Sequence, residues 1–181
     1  MLGSTVTHRH SNGITLPLAP INSHDEWSPL KTCIVGTVDN LTSFHIDKTF
    51  IAFFWGNIKS FLKSDAFHSL PYSALFDGKI LQIDEYIINE LQEDLSYFRD
   101  RLRSAGVQVL SPEPPPMPAP VVSTPFWSSI HSPALNVRDQ AIIVGNTIIE
   151  TAPHVRSRFF ENFGLYNIFR HGFGNGANWL T

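Results

Sequence analysis

Cysteine is nearly absent from this chain: Cys33 stands alone in 181 residues, which excludes an internal disulfide and suits a reducing compartment. Surplus positive charge is absent too. With 13 lysines and arginines against 16 acids the formal net charge is −3, which gives no field to draw the chain onto phosphate backbones or acidic lipid. Nucleic acid is therefore not the expected partner. No apolar run approaches the roughly 18 residues that a bilayer-spanning helix needs, and the most hydrophobic stretch, Phe50 to Trp55, falls far short of it. Residues 1–20 have neither the apolar core of a secretory signal nor an Arg-rich amphipathic pattern. A mobile tail is expected over 1–24 and a folded unit over 25–181, and the cytoplasm is the default compartment. Metal motifs are also missing. His8, His10, His24, His45, His68, His131, His154 and His171 are scattered, only His8 and His10 are close, and there is no HExxH or EF-hand loop.

What is present is enough apolar material for one core, 43% of the residues. The β-branched run over 32–36 predicts a first strand. Ile83, Ile87, Leu91, Leu95, Phe98 and Leu102 recur at three and four residues and predict a helix over 83–104 with one apolar face. Asp84 and Glu85 in its first turn and Arg99, Arg101 and Arg103 near its end oppose the helix dipole, and Gly106 supplies the stop. A strand over 107–110 completes an α/β step. Six prolines over 112–120 predict an extended loop, with a PxxP-type docking site as the less favoured reading. Two runs of β-formers, 140–144 and 147–151, flank Gly145-Asn146 and predict a tight hairpin. A helix is expected over 155–170 with Phe159, Phe163, Tyr166 and Phe169 inward, broken by Gly172, Gly174 and Gly176, and a strand opens over 177–181. A short helix is also compatible with 58–62.

The residues suggest little chemistry by themselves. Cys33 lies inside a β-branched strand, where cysteine behaves as a small hydrophobe, and no neighbouring residue in the sequence offers to lower its pKa. Gly172, Gly174 and Gly176 read as a connection, because no helix start and no lysine accompany them as in a phosphate cradle. Asp139 is different. It stands with Arg138 at the entrance to an apolar strand, where a carboxylate faces solvent, pairs, or points into a cleft. A local ion pair explains it as well as a site does, and Arg156, Arg158 and Glu161 are spaced to pair with one another at helical distance.

The string Asn136-Val137-Arg138-Asp139-Gln140-Ala141-Ile142-Ile143-Val144-Gly145-Asn146-Thr147-Ile148-Ile149-Glu150, followed by Arg156-Ser157-Arg158-Phe159-Phe160-Glu161, resembles the arginine:glycine and arginine:inosamine-phosphate amidinotransferases. Two more blocks, from Glu26 to Gly36 and from Gly176 to Thr181, resemble that family in the same order, while 39–78 matches poorly. The resemblance implies an α/β propeller of five modules around a central site, the pentein or guanidino-group-modifying fold, of which this chain carries the N-terminal modules. It implies L-arginine as amidino donor and a primary amine as acceptor, a cysteine nucleophile, an acid–base histidine oriented by an aspartate, and no metal or organic cofactor. Asp139 falls on the family's Arg-Asp position, whose aspartate helps to bind the donor guanidinium. The family's nucleophile, histidine and second aspartate lie in later modules, beyond Thr181. The expectation is thus an N-terminal portion that is inactive alone, with mitochondrial residence as the alternative to cytoplasmic. The competing expectation is a non-catalytic remnant that binds a partner, or itself, through exposed edges.

Overall fold

The computed structural model describes residues 20–45, 47, 49 and 80–181; residues 1–19 of the tail expected over 1–24 and the helix considered over 58–62 lie outside them. The described residues form a mixed α/β structure of small separate sheets. Strand β1, Thr32–Ile34, runs parallel to β4, Gln108–Leu110, with Cys33 opposite Val109. Between them in the chain, β2, Ser43–His45, pairs antiparallel with β3, Ile80–Gln82, and helix α1 spans Glu85–Ser104. Strands β5, Val121–Ser123, and β6, Ser128–Ile130, form a hairpin. The largest sheet has the order β7 (Ala141–Val144), β8 (Thr147–Glu150), β9 (Asn178–Leu180), in which β7 and β8 are antiparallel and β9 returns parallel to β8 after helix α2, Tyr166–Gly174.

The hairpin forms where expected because Gly145, at φ 55°, takes the left-handed conformation that the tight turn requires. Both helices hand over to their strands by the same device, a glycine at positive φ just past the last turn: Gly106 at 81° and Gly176 at 93°. Two α/β steps are thus built alike. The expected break at Gly172 and Gly174 does not occur; α2 runs through both. Gly172 is buried where Ile21 and Ile148 come down on the helix, and a Cβ there would meet Ile21 Cδ1 at 2.3 Å.

Helix α1 begins two residues later than expected. Asp84 is its cap, not part of its first turn: the carboxylate accepts from the Tyr86 amide at 2.9 Å. The expected apolar face is also rotated. Ile87 and Phe98 are exposed, and the half-buried line is Ile88, Leu91, Leu95, Arg99 and Leu102. Arg99 occupies that line because its Nη2 donates to the Gly36 carbonyl at 2.7 Å, which ties the helix to the segment following β1.

The expected helix over 155–170 is instead two 3-10 turns, Arg156–Arg158 and Glu161–Leu165, leading into α2. Its inner side differs as well: Phe160, Leu165 and Phe169 are buried, whereas Phe159 and Phe163 are exposed. Gly164 explains the break, because the proline-rich loop lies across it. The Glu113 amide donates to the Gly164 carbonyl at 2.8 Å, and a Cβ on Gly164 would sit 2.5 Å from the Glu113 carbonyl oxygen. In that loop Pro112 and Pro115 are buried, so the segment packs as a loop and does not present those prolines to a partner.

The core beneath the largest sheet joins Ile148, Leu165, Phe169 and Ala177, flanked by Ile21, Ile34, Val137, Ile143 and Trp179 among others. Ile21 therefore belongs to the folded unit, as does Ser23, whose amide and carbonyl both bond Gly145, at 2.8 and 2.7 Å. Residues 20–24 are docked and are not tail. Among the described residues no helix is long and apolar enough to cross a membrane.

Candidate functional site

Asp139 closes a single 3-10 turn, Val137–Asp139, immediately before β7. Its backbone is held on both sides: its amide donates to the Asn136 carbonyl at 3.0 Å, and its own carbonyl accepts from the Thr151 hydroxyl at 2.7 Å. The side chain is 36% exposed, and its Oδ2 accepts from Arg158 Nη1 at 2.9 Å. Oδ1 has Arg138 Nε at 3.5 Å as a much looser neighbour, on a side chain that is 94% exposed. The hydrogen bond from Arg158 holds the Asp139 carboxyl below its usual range against the opposing effect of burial, with the charges of Arg158 and Arg138 adding to it. A depressed folded-state pKa contributes stability that is present above the unfolded value of 3.8 and is lost as pH falls through the folded value.

Arg158 is gripped from its other side by Glu161. Nε donates to Oε1 at 2.9 Å and Nη2 to Oε2 at 3.0 Å, a forked pair that satisfies both carboxylate oxygens. Glu161 is buried, with 6% of its side chain exposed, and it also accepts from Gln140 Nε2 at 2.8 Å. Burial pushes its carboxyl up, and the bonds from Arg158 and Gln140 draw it back. Every neighbour bonded to its carboxylate is a donor, so the ionised form is the one this geometry serves. Gln140 is fully buried, and its Oε1 has no partner.

The expected pairing of Arg158 with Glu161 is therefore present, on 3-10 turns instead of an α-helix. Arg156 does not join it. Its guanidinium lies 5.9 Å from the centre of the Trp127 ring. The link from Arg158 to Asp139, across 19 residues, and the role of Gln140 were not evident in the sequence. Gln140 reads there as the first residue of a strand; a polar residue opening an apolar run was the available signal. A second polar cluster also escaped it, in which Glu150 accepts from Asn162 Nδ2 at 2.6 Å and from Trp179 Nε1 at 2.7 Å.

Cys33 is half-buried in β1 and burial pushes its thiol up, which disfavours the thiolate that nucleophilic attack needs. Cys33→Ala is expected to change unfolding stability by about 1 kcal/mol or less and to leave ligand binding unaltered. Calorimetry and denaturation check both, and an amidino adduct lost only in that variant would identify Cys33 as a nucleophile after all. His131 is buried edge-on to Phe163, with ring centres 5.6 Å apart, and burial pushes its pKa down. Among the described residues no group of three or more His, Cys, Asp and Glu is arranged to hold a metal ion.

Fold and site together define a mixed α/β protein in which the guanidinium of its own Arg158 lies between two carboxylates, Asp139 and Glu161. No family model matches the chain. Over 161 residues it is 27% identical to inosamine-phosphate amidinotransferase 1 of Streptomyces glaucescens, an alignment that covers 89% of this chain and 42% of that protein. It is 30% identical over 166 residues to the mitochondrial glycine amidinotransferase of Gallus gallus, covering 90% of this chain and 35% of that protein. The solved inosamine-phosphate amidinotransferase of Streptomyces griseus superposes with a TM-score of 0.70 at 26% identity, over 88% of this chain and 42% of that one. The chain is similar to amidinotransferases along about nine-tenths of its own length and spans less than half the length of these relatives.

Proposed function

We propose that this chain forms the donor-binding portion of an L-arginine-dependent amidinotransferase of the pentein propeller type, with Asp139 meeting the donor guanidinium. The observation that carries the reading is the state of the Asp139 carboxylate: part-exposed, kept ionised, locked at its backbone, and with Oδ1 lacking a close partner. Arginine's guanidinium stays protonated at any ordinary pH, so a carboxylate is the group suited to hold it. In the complete reaction a thiolate attacks the central guanidinium carbon, and the bond to the ornithine nitrogen breaks as that nitrogen takes a proton from a histidine. The amine acceptor then attacks the amidino-cysteine, loses its proton to the same histidine, and releases the thiolate. This reading assigns the thiol, the histidine and the aspartate that orients it to protein outside these 181 residues. The repeated α/β step, each closed by a glycine at positive φ, supports the modular propeller. Cytoplasmic residence is the accompanying proposal, with a mitochondrial location as its alternative.

The experiment is L-arginine binding by calorimetry to the chain and to Asp139→Asn. The variant is expected to lose roughly tenfold or more in affinity, the worth of one charge-assisted hydrogen bond, while keeping its unfolding midpoint within a few degrees. Unchanged affinity would remove Asp139 from the site. The alternative, a binding module, draws on the exposed Ile142, Val144 and Leu180 along the outer strands of the largest sheet. Concentration-dependent self-association without L-arginine binding would favour it.

A further inference from the structure

Glu161 alone satisfies the fork of Arg158, since both its oxygens are bonded by Nε and Nη2. The remaining arm, Nη1, is turned to Asp139 Oδ2 at 2.9 Å, and that bond adds nothing to the fork. Its consequence is felt at Asp139. With the backbone pinned by Asn136 and Thr151 and Oδ2 bonded by Arg158, the carboxylate is oriented and Oδ1 is its less engaged oxygen. Only Arg138 approaches that oxygen among the contacts described, at 3.5 Å and from a side chain in solvent. Arg158 cannot be displaced cheaply, because its partner Glu161 is buried and is itself tied to the buried Gln140.

We propose that Arg158 is a positioning residue: it holds Asp139 so that a ligand guanidinium is received end-on at Oδ1 by a single bond, with Oδ2 closed to it. The inference rests on the reading that Asp139 meets the donor. It excludes the forked, two-oxygen embrace that a free carboxylate offers a guanidinium. It also makes Glu161 and Gln140, which never touch the ligand, determinants of how it is held.

The test compares the wild-type chain with Arg158→Lys, Glu161→Gln and Asp139→Asn. Lysine keeps the charge but lacks the planar fork that reaches two carboxylates at once, and glutamine keeps the shape of Glu161 while weakening its hold on Arg158. Three quantities are read: L-arginine affinity, the titration of the Asp139 carboxyl by carbon NMR, and the unfolding midpoint. Arg158→Lys is expected to weaken L-arginine binding roughly tenfold and to move the Asp139 titration up toward its ordinary value; Glu161→Gln does both to a smaller degree. A purely structural role would lower the midpoint without moving the Asp139 titration. If Asp139→Asn loses binding while both other variants keep wild-type affinity and titration, the positioning role is overturned and the donor site stands. Wild-type affinity in Asp139→Asn, or no binding of L-arginine by the wild-type chain, overturns the donor site and this inference with it.

Discussion

Gly36→Ala is expected to destabilise the protein by about 3 kcal/mol or more, at the upper end of what overpacking does. The segment after β1 is buried from Val35 to Val38 and runs against the backbone of residues 134–135. The Thr37 amide donates to the Ala134 carbonyl at 3.0 Å, which fixes how closely the two segments approach. A Cβ on Gly36 would stand 1.8 Å from the Leu135 carbonyl oxygen, 2.5 Å from its carbon and 2.8 Å from the Ala134 oxygen. These are backbone atoms, so no side-chain rotation relieves the clash and one strand of chain must move. Either movement has a cost: Gly36 supplies the carbonyl that receives Arg99 from α1, and residues 134–135 lead directly into Asn136 and the turn that carries Asp139. The variant should therefore lose L-arginine affinity as well as stability. Urea denaturation measures the first effect, and a change under about 0.5 kcal/mol, the usual range for an innocuous surface substitution, would show that the two segments do not meet this closely. Gly36→Ser should behave alike, since any Cβ meets the same atoms.

The elements legible in the sequence are those whose signals are local. Gly145-Asn146 between two β-forming runs specifies a hairpin with little help from the rest of the chain, and Gly106 marks the end of α1 because a left-handed residue is needed there. Strands β2, β3, β5 and β6 are three residues long, too short for a periodic signal, whereas the equally short β1, β4 and β9 were legible through a β-branched run or a preceding helix and glycine. On α1, Leu91, Leu95 and Leu102 keep the expected face, but Ile88 and Arg99 take the places that the apolar spacing gives to Ile87 and Phe98, and Arg99 bonds the Gly36 carbonyl there. Over 155–170 the spacing of aromatic residues fits an α-helix; a loop more than forty residues earlier in the chain, pressing on Gly164, is what divides it. The site divides in the same way. Asp139 was visible through its neighbours in the chain, and the Arg158–Glu161 pair through its three-residue spacing. That the two belong to one network depends on the hairpin bringing Thr151 back to Asp139, which lets the turn at Arg158 reach it.

Replacing Glu161 with leucine is expected to destabilise the protein by about 3 kcal/mol, the lower end of the range for removing one partner of a buried ion pair. The full range does not apply because Arg158 is 26% exposed and retains Asp139 at 2.9 Å. Two groups nonetheless lose their partner together. Arg158 loses the fork that took up Nε and Nη2, and Gln140 loses its 2.8 Å acceptor, keeping only the Arg158 carbonyl at 3.4 Å while its Oε1 is already unsatisfied. Removing the stranded cation should recover part of the loss, since a buried pair replaced on both sides by apolar groups leaves no uncompensated charge. Arg158→Met combined with Glu161→Leu is thus expected to be more stable than Glu161→Leu alone, with a coupling of about 1 to 3 kcal/mol. Binding should behave oppositely. The double variant has no cation to hold Asp139 Oδ2, so its affinity for L-arginine should fall below that of the Glu161 variant, which keeps Arg158 on Asp139, even as its stability returns. Denaturation and calorimetry on the four members of the cycle separate the two quantities. Affinity that recovers in step with stability would mean that Glu161 and Arg158 support the fold around Asp139 and do not set the direction in which its free oxygen points.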